Sequence, residues 1–253
     1  MASWEALAPR RRLSTSKLRR WTDNLAVVAL NTTVVRLVFG TGAVGTAIYV
    51  TGQGWGLLNH VSWPSWFEVV LAVVVLDFIL YLQHVIFHAV PVFWRFHMMH
   101  HADLDCDVTT GVRFHPVEVA ISLGIKLGAI VVLGASPTAV FAFEVLLNAT
   151  SMFNHSNVRM PAMVDGVLRW FLVTPDMHRI HHSILPQETN RNFGFNLPWW
   201  DRLLGTYWAA PEGGHEGMTL GLAKWRDPAK LTLIGMLMLP FVAKPGRYPL
   251  GRS

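Results

Sequence analysis

Leu71-Ala72-Val73-Val74-Val75-Leu76-Asp77-Phe78-Ile79-Leu80-Tyr81-Leu82-Gln83-His84-Val85-Ile86-Phe87-His88 decides the fold. It continues an apolar run that begins at Trp66 and reads as a helix to Tyr81, with a pattern that extends to Ala89. A helix that crosses a bilayer core needs about 20 mostly apolar residues, and this run supplies them. It ends in HxxxH, and on a helix positions i and i+4 share a face. Asp77, Tyr81, His84 and His88 therefore form one polar stripe on an otherwise apolar helix.

Three further stretches have the same character. Leu25–Val50 contains Arg36 as its one charge, Val117–Leu133 contains Glu118 and Lys126, and Thr138–Phe153 contains Glu144. The last two meet at Gly134-Ala135-Ser136-Pro137, a tight turn. Leu231–Ala243 is shorter and holds Pro240, so it reads as an interfacial or core helix. The composition agrees. Of 253 residues, 52% are hydrophobic and 15% charged, against about 25% charged in an average soluble domain. Mean hydropathy is +0.34. These values exclude a disordered chain and a coiled coil. A single cysteine, Cys106, excludes an intrachain disulfide framework and a CxxC zinc ribbon.

The formal charge of +5 reads as topology rather than nucleic-acid binding. Thr51–Ser65 and Gly134–Pro137 contain no lysine or arginine. Arg36 and Lys126 lie inside apolar stretches; the other basic residues sit in the N-terminal segment, in Pro91–Pro116, or after Asn154. By the positive-inside rule those three regions are cytoplasmic. The expected fold is an all-α membrane protein of four transmembrane helices in two hairpins, both termini inside, under a helical cytoplasmic cap. The expected organisation is a basic N-terminal segment over 1–24, a membrane catalytic domain over 25–210 and a cytoplasmic or interfacial segment over 211–253. The Arg10-Arg11-Arg12 cluster reads as a retained cytoplasmic cap on the first span, because the apolar stretch after it is too long for a signal peptide. Gly40-Thr41-Gly42-Ala43-Val44-Gly45 matches GxGxxG, but it lies in the first span without a βαβ unit. It reads as a small-residue segment for close helix packing.

Nine of the 12 histidines fall into four groups: His84 and His88; His97, His100 and His101; His155; and His178, His181 and His182. Two copies of HxxHH exceed what twelve histidines give by chance. On a helix, His97 shares a face with His100 or His101, and His178 with His181 or His182. Neutral imidazole is a good ligand for iron, zinc, copper and nickel. A catalytic zinc takes three protein ligands, whereas nine nitrogens suit two metals with four or five ligands each. HExxH is absent and the motifs hold no carboxylate. That favours O2 chemistry by iron over hydrolysis; a membrane zinc-dependent hydrolase is the alternative. On the fourth apolar stretch Glu144, Asn148, Ser151 and His155 form a second polar stripe toward the same end. Asp77 has two readings, orientation of a histidine through its second nitrogen or interhelical hydrogen bonding.

At this point the chain resembles the fatty acid hydroxylase/sterol desaturase superfamily of integral-membrane di-iron enzymes. The resemblance covers Asp77 to Tyr207. Its residues are Asp77 to His88, His97–His101, Arg113-Phe114-His115-Pro116-Val117-Glu118, Asn154-His155-Ser156-Asn157, Thr174 to His182, and Asn192-Phe193-Gly194 through Trp200-Asp201 to Tyr207. It implies two iron ions, with zinc as an occupant in purified protein, held by His84, His88, His97, His100, His101, His155, His178, His181 and His182. It also implies O2 as co-substrate and oxidation of an unactivated C–H bond in a membrane lipid. No cytochrome b5-like haem segment is read in these residues. Electrons are therefore expected from a separate donor, a ferredoxin or cytochrome b5-type protein with its reductase. Some relatives carry a tenth histidine where this chain has Ser151. Three readings stand for that place: His115 as ligand, a water held by Ser151 or Asn154, or a less saturated iron. Asp103, Asp105, Asp107, Asp176 and Asp201 are candidates for orienting ligands. His60 and His215 read as solvated and Cys106 as a reduced bystander. The expected location is a bacterial inner membrane or the endoplasmic reticulum, with no nucleic-acid partner.

Overall fold

Proline and a capping side chain start most of the helices that build the site. A computed structural model describes residues 1–40 and 42–250. Pro91, Pro116, Pro137 and Pro175 open α5 (Pro91–His101), α6 (Pro116–Leu133), α7 (Pro137–Asn154) and α9 (Pro175–His181). Proline suits the first helical position because its missing N–H would have no partner there. His115, Ser136 and Thr174 cap α6, α7 and α9 by accepting from Val117, Ala139 and Met177 N–H. Before these come α1 (Ala2–Leu7), α2 (Lys17–Phe39), α3 (Gly42–Gly52) and α4 (Ser65–Ala89). The remaining elements are α8 (Ala162–Leu168), α10 (Pro186–Thr189), α11 (Trp199–Leu203), α12 (Gly214–Gly217) and α13 (Leu233–Val242). The regular structure of the described residues is helical, apart from two isolated bridges.

Among the described residues three segments are long and apolar enough to cross a membrane: Lys17–His60, Ser65–Ala89 and Pro116–Leu133. Helix α7 forms where the fourth span is expected, but Glu144, Asn148, Thr150, Ser151 and Asn154 keep it short of that measure. The first expected span, Leu25–Val50, is not one straight helix. Gly40 and Gly42 take φ of 64° and 65°, and α2 ends where α3 begins. This corrects the close-packing reading of those two glycines: a Cβ on either would meet nothing within 4 Å. Their value is conformational, since positive φ costs glycine little. Thr41 of that motif lies outside the described residues. Alanines do the close packing instead. Ala43, Ala47, Ala72 and Ala139 are buried with Leu76, Leu80, Ile130, Val140 and Phe143 where α3, α4, α6 and α7 meet. Small residues let helix backbones approach, which favours association in lipid through van der Waals contact.

At one end of the bundle a glycine contact fixes the turn. Gly134 sits at φ 70°, and a Cβ there would lie 2.6 Å from the Trp55 carbonyl. Glu68 accepts from Ser136 N–H and Oγ at the same end. The first residues and Tyr248–Leu250 lie at the other end, with the histidines. Residues 1–24 pack onto the loops at that end. Glu5 accepts from Val108 and Asn157 N–H, and Arg159 N–H donates to the Ala8 carbonyl. Arg20 is 8% exposed and pairs with Asp103 at 2.8 Å and Asp107 at 2.6 Å. Burial pushes the Asp103 carboxyl up, but Arg20 and Arg113 overcome it and hold the group at about 2. The C-terminal segment folds back likewise. Leu250 N–H donates to the His88 carbonyl, and Tyr248 stacks on Trp94 at 5.7 Å. Helix α13 buries Met236, Leu239 and Pro240 against α5 and α2, and leaves Ile234, Met238, Phe241 and Val242 exposed.

Candidate metal centre

The nine histidines gather into two adjacent groups. His84, His88, His97, His101 and His181 form one, and His100, His155, His178 and His182 the other. Within each group the candidate ligand nitrogens lie within 4.8 Å of one another. All nine side chains are at most 2% exposed. Helix geometry explains the partition. In each HxxHH the i, i+4 pair shares a group, His97 with His101 and His178 with His182. The middle histidines, His100 and His181, point about 60° away on the helix and cross to the opposite group. Each motif thus serves both groups, and the two centres are neighbours by construction. Across the two groups, the His101 and His182 rings stand 4.7 Å apart and those of His97 and His100 5.2 Å.

Hydrogen bonds at Nδ1 orient five of the rings. Nδ1–H donates from His84 to the Phe193 carbonyl at 2.7 Å, from His155 to the Ser151 carbonyl at 2.7 Å and from His181 to the Arg191 carbonyl at 2.8 Å. His97 Nδ1–H donates to Glu118 Oε1 at 2.6 Å, and His88 Nδ1–H to Asn190 Oδ1 at 3.1 Å. An acceptor at Nδ1 fixes that tautomer and leaves a lone pair on Nε2. Those Nε2 atoms face one another or the Nε2 of a neighbouring imidazole. Nε2 of His84 lies 3.1 Å from that of His97 and 3.0 Å from that of His181. His88 and His101 Nε2 are 3.1 Å apart, as are those of His155 with His100 and with His178. Nε2 of His182 is buried without a partner. Burial first, and neighbouring imidazoles second, push His100, His101, His178, His181 and His182 well below the ordinary histidine value. Where Nδ1 carries the proton, the converging Nε2 lone pairs are placed to take a cation between them. Edges of 3.0–3.2 Å suit nitrogens about 2.1 Å from one metal at roughly right angles. The donor set therefore fits two metal ions, and neither group includes an Asp or Glu among the described residues.

The other predicted residues stand outside the two groups. His115 caps α6 through Nδ1, and its Nε2 donates to the Leu237 carbonyl at 3.2 Å. Ser151 Oγ donates to the Gly111 carbonyl, while the Ser151 carbonyl holds His155. Asn154 Nδ2 donates to the Phe195 carbonyl, and its Oδ1 is buried without a partner. Asp77 orients no histidine. It accepts from Asn196 N–H and Nδ2, Leu197 N–H and Trp200 Nε1. Asp176 pairs with Arg10 and Arg179. Asp103 and Asp107 hold Arg20, and Asp105 accepts from Ser14 and Thr15. Asp201 accepts from Phe193 and Gly194 N–H, so it steadies the loop whose carbonyl holds His84. Burial raises its carboxyl to about 6. His215 is not simply solvated: it lies 3.8 Å from Asp176, and burial lowers it to about 4. His60 is exposed, as expected. Cys106 is buried beside Met218 and Leu220, and burial pushes its thiol up.

Two features escaped the sequence reading. Glu118 supplies the carboxylate at His97, and the signal was its place in RxHPxE. Residues 190–196 supply acceptors to His84, His88 and His181. Asn192 shapes that loop at φ 54°, bonding Met177 and Trp208 carbonyls through Nδ2 and Trp208 N–H through Oδ1.

A cleft of about 550 Å³ between α2, α4, α6 and α7 reaches this centre. His84 and His97 line it together with Leu80, Phe87, Phe114, Leu123 and Leu147. The expected stripe on α7 also opens here through Glu144, Asn148 and Ser151.

Residues 69–206 match the family model for fatty acid hydroxylase. The chain is 37% identical over 195 residues to ornithine lipid hydroxylase OlsE of Rhizobium tropici, covering 76% of this chain and 56% of that protein. It is 28% identical over 162 residues to alkylglycerol monooxygenase of Xenopus tropicalis (64% of this chain, 35% of that protein). Against the alkylglycerol monooxygenase of Homo sapiens it is 28% identical over 197 residues (76% and 42%). The chain thus spans about half or less of the length of these relatives. No solved structure matches it.

Proposed function

The chain belongs to the fatty acid hydroxylase family, and on that footing we propose that it is an integral-membrane, O2-dependent oxidoreductase. It hydroxylates or desaturates an unactivated C–H position of a membrane lipid at two irons. One iron is held by His84, His88, His97, His101 and His181, the other by His100, His155, His178 and His182. The observation that carries this reading is the convergence of nine buried histidines, their ligand nitrogens within 4.8 Å of one another in each of two groups. Ornithine lipids and alkylglycerols, named in the relatives' activities, are the first substrates to try.

Two bound irons would supply O2 activation and removal of hydrogen from an unreactive carbon. The chain's own residues do the rest. Phe193, Arg191 and Ser151 carbonyls, Asn190 and Glu118 keep protons on Nδ1 and so keep Nε2 free. Neutral ligands leave the full positive charge of the metals on the site, which suits oxidation better than hydrolysis. The buried histidine cage excludes water, and the apolar cleft wall admits a lipid chain to His84 and His97. Electrons come from a separate ferredoxin or cytochrome b5-type donor.

In this reading α7 completes a four-helix membrane stem, and the histidine end faces the cytoplasm. The basic residues gathered at that end support the orientation. The test is iron-loaded protein in lipid nanodiscs with reduced donor, ¹⁸O2 and candidate lipid. Expected is labelled oxygen in the lipid, or a new double bond with matching O2 consumption. Release of a hydrolysed lipid without O2 consumption would overturn the reading.

A further inference from the structure

The cleft that reaches His84 and His97 carries charge partway along otherwise apolar helices. Lys126 lies in the middle of α6 and Glu144 in the middle of α7. They pair with side chains 13% and 28% exposed. Arg36, exposed in the last turn of α2, lines the same cleft and has no ion-pair partner among the described residues. Ionisable groups inside a membrane are costly and by default mark a pathway or a substrate contact. Mutual neutralisation accounts for Lys126 and Glu144, yet apolar residues could replace such a pair without loss of stability. It does not account for Arg36. Glu118 lines the same cleft but is taken up by His97, so away from the histidines Arg36 and Lys126 stand against Glu144 alone, one cation in excess.

We infer that this part of the cleft seats an acidic group of the substrate, a carboxylate or phosphate, between Arg36 and Lys126. Glu144 holds Lys126 in place until the substrate's oxyanion takes over as its partner. This inference rests on the reading of the chain as a lipid oxidase. The geometry also sets a spacing. Lys126 stands about 12 Å along α6 from Glu118, which touches His97. The acidic group is therefore held well away from the carbon that meets the metals, and Arg36 and Lys126 select which lipids enter.

The test needs neither metal turnover nor a known substrate. Binding of cis-parinaric acid and of its methyl ester is measured by fluorescence with the full chain in phosphatidylcholine nanodiscs, against empty nanodiscs. The wild type is expected to bind the acid at least tenfold more tightly than the ester. Lysophosphatidic acid displaces the probe, while inorganic phosphate does not; displacement by inorganic phosphate alone would assign the site to a free anion and overturn the proposal. Arg36→Met/Lys126→Met/Glu144→Met brings the preference below twofold. Glu144→Gln, which frees Lys126, raises affinity for the acid at least threefold. An acid preference below twofold in the wild type, or an unchanged preference in the triple variant, overturns the proposal. Should the triple variant not fold, Glu144→Gln decides alone: no gain in acid affinity overturns it. Failure of the oxidase reading is separate, since it appears as absent O2 consumption with probe binding intact.

Discussion

Glu118→Ala isolates one of the two proposed metal centres. The carboxylate is 4% exposed and accepts from His97 Nδ1 at 2.6 Å. Removing it strands a buried N–H, which costs about 1–3 kcal/mol. It also frees the His97 ring to turn or change tautomer. Loss of such a partner behind a metal-binding histidine lowers affinity about 10–100-fold, or about 1.4–2.7 kcal/mol. The loss falls on the centre that contains His97 and spares the one built from His100, His155, His178 and His182. Glu118→Gln keeps an acceptor and is expected to lose less than about tenfold. The assay is an anaerobic Fe(II) or Co(II) titration in detergent against a chromophoric chelator. Two binding steps are expected, and only one should weaken. If both weaken equally, or neither does, the orientation argument for His97 is wrong.

Arg20→Met leaves Asp103 and Asp107 buried without their main cation. A cost of about 3–5 kcal/mol is expected, read as lost thermal stability and faster proteolysis of residues 1–24. Asn192→Ala removes three hydrogen bonds from a loop held at positive φ. It should loosen the Phe193 and Arg191 carbonyls, weakening metal binding in titration while helical content by circular dichroism stays the same. Gly134→Val forces a branched side chain into a φ of 70° against the Trp55 carbonyl. A loss of more than about 1 kcal/mol is expected, seen as a Tm lower by about 2–4 °C or more.

Much of the site was legible because imidazole spacing and helix period are both properties of residue type. HxxxH and the two HxxHH motifs predicted shared faces, and the structure brings all nine histidines together. Which histidine of each HxxHH pairs with the first stayed open until the helices were placed, because i+3 and i+4 are equally near on a surface. The groups that orient the rings were mostly invisible. Three of them are backbone carbonyls, of Phe193, Arg191 and Ser151, and any residue has one. Aspartates near the motifs were natural candidates for that work, but arginines, N–H groups and Trp200 claim them. The apolar run from Leu25 to Val50 hid its break, because glycine is counted as compatible with an apolar helix while only its φ reveals the turn. The segments at either end carry no periodic signal, yet they cover the centre through Glu5, Arg20, Tyr248 and Leu250.

The most direct test of the account is metal content per chain, by elemental analysis of protein purified anaerobically. The account predicts two irons in the wild type. His88→Ala should chiefly deplete one centre and His178→Ala the other, each leaving about one iron per folded chain. Two zincs would require that iron reconstitution restore O2 consumption. One metal or none in well-folded wild-type protein would contradict the account.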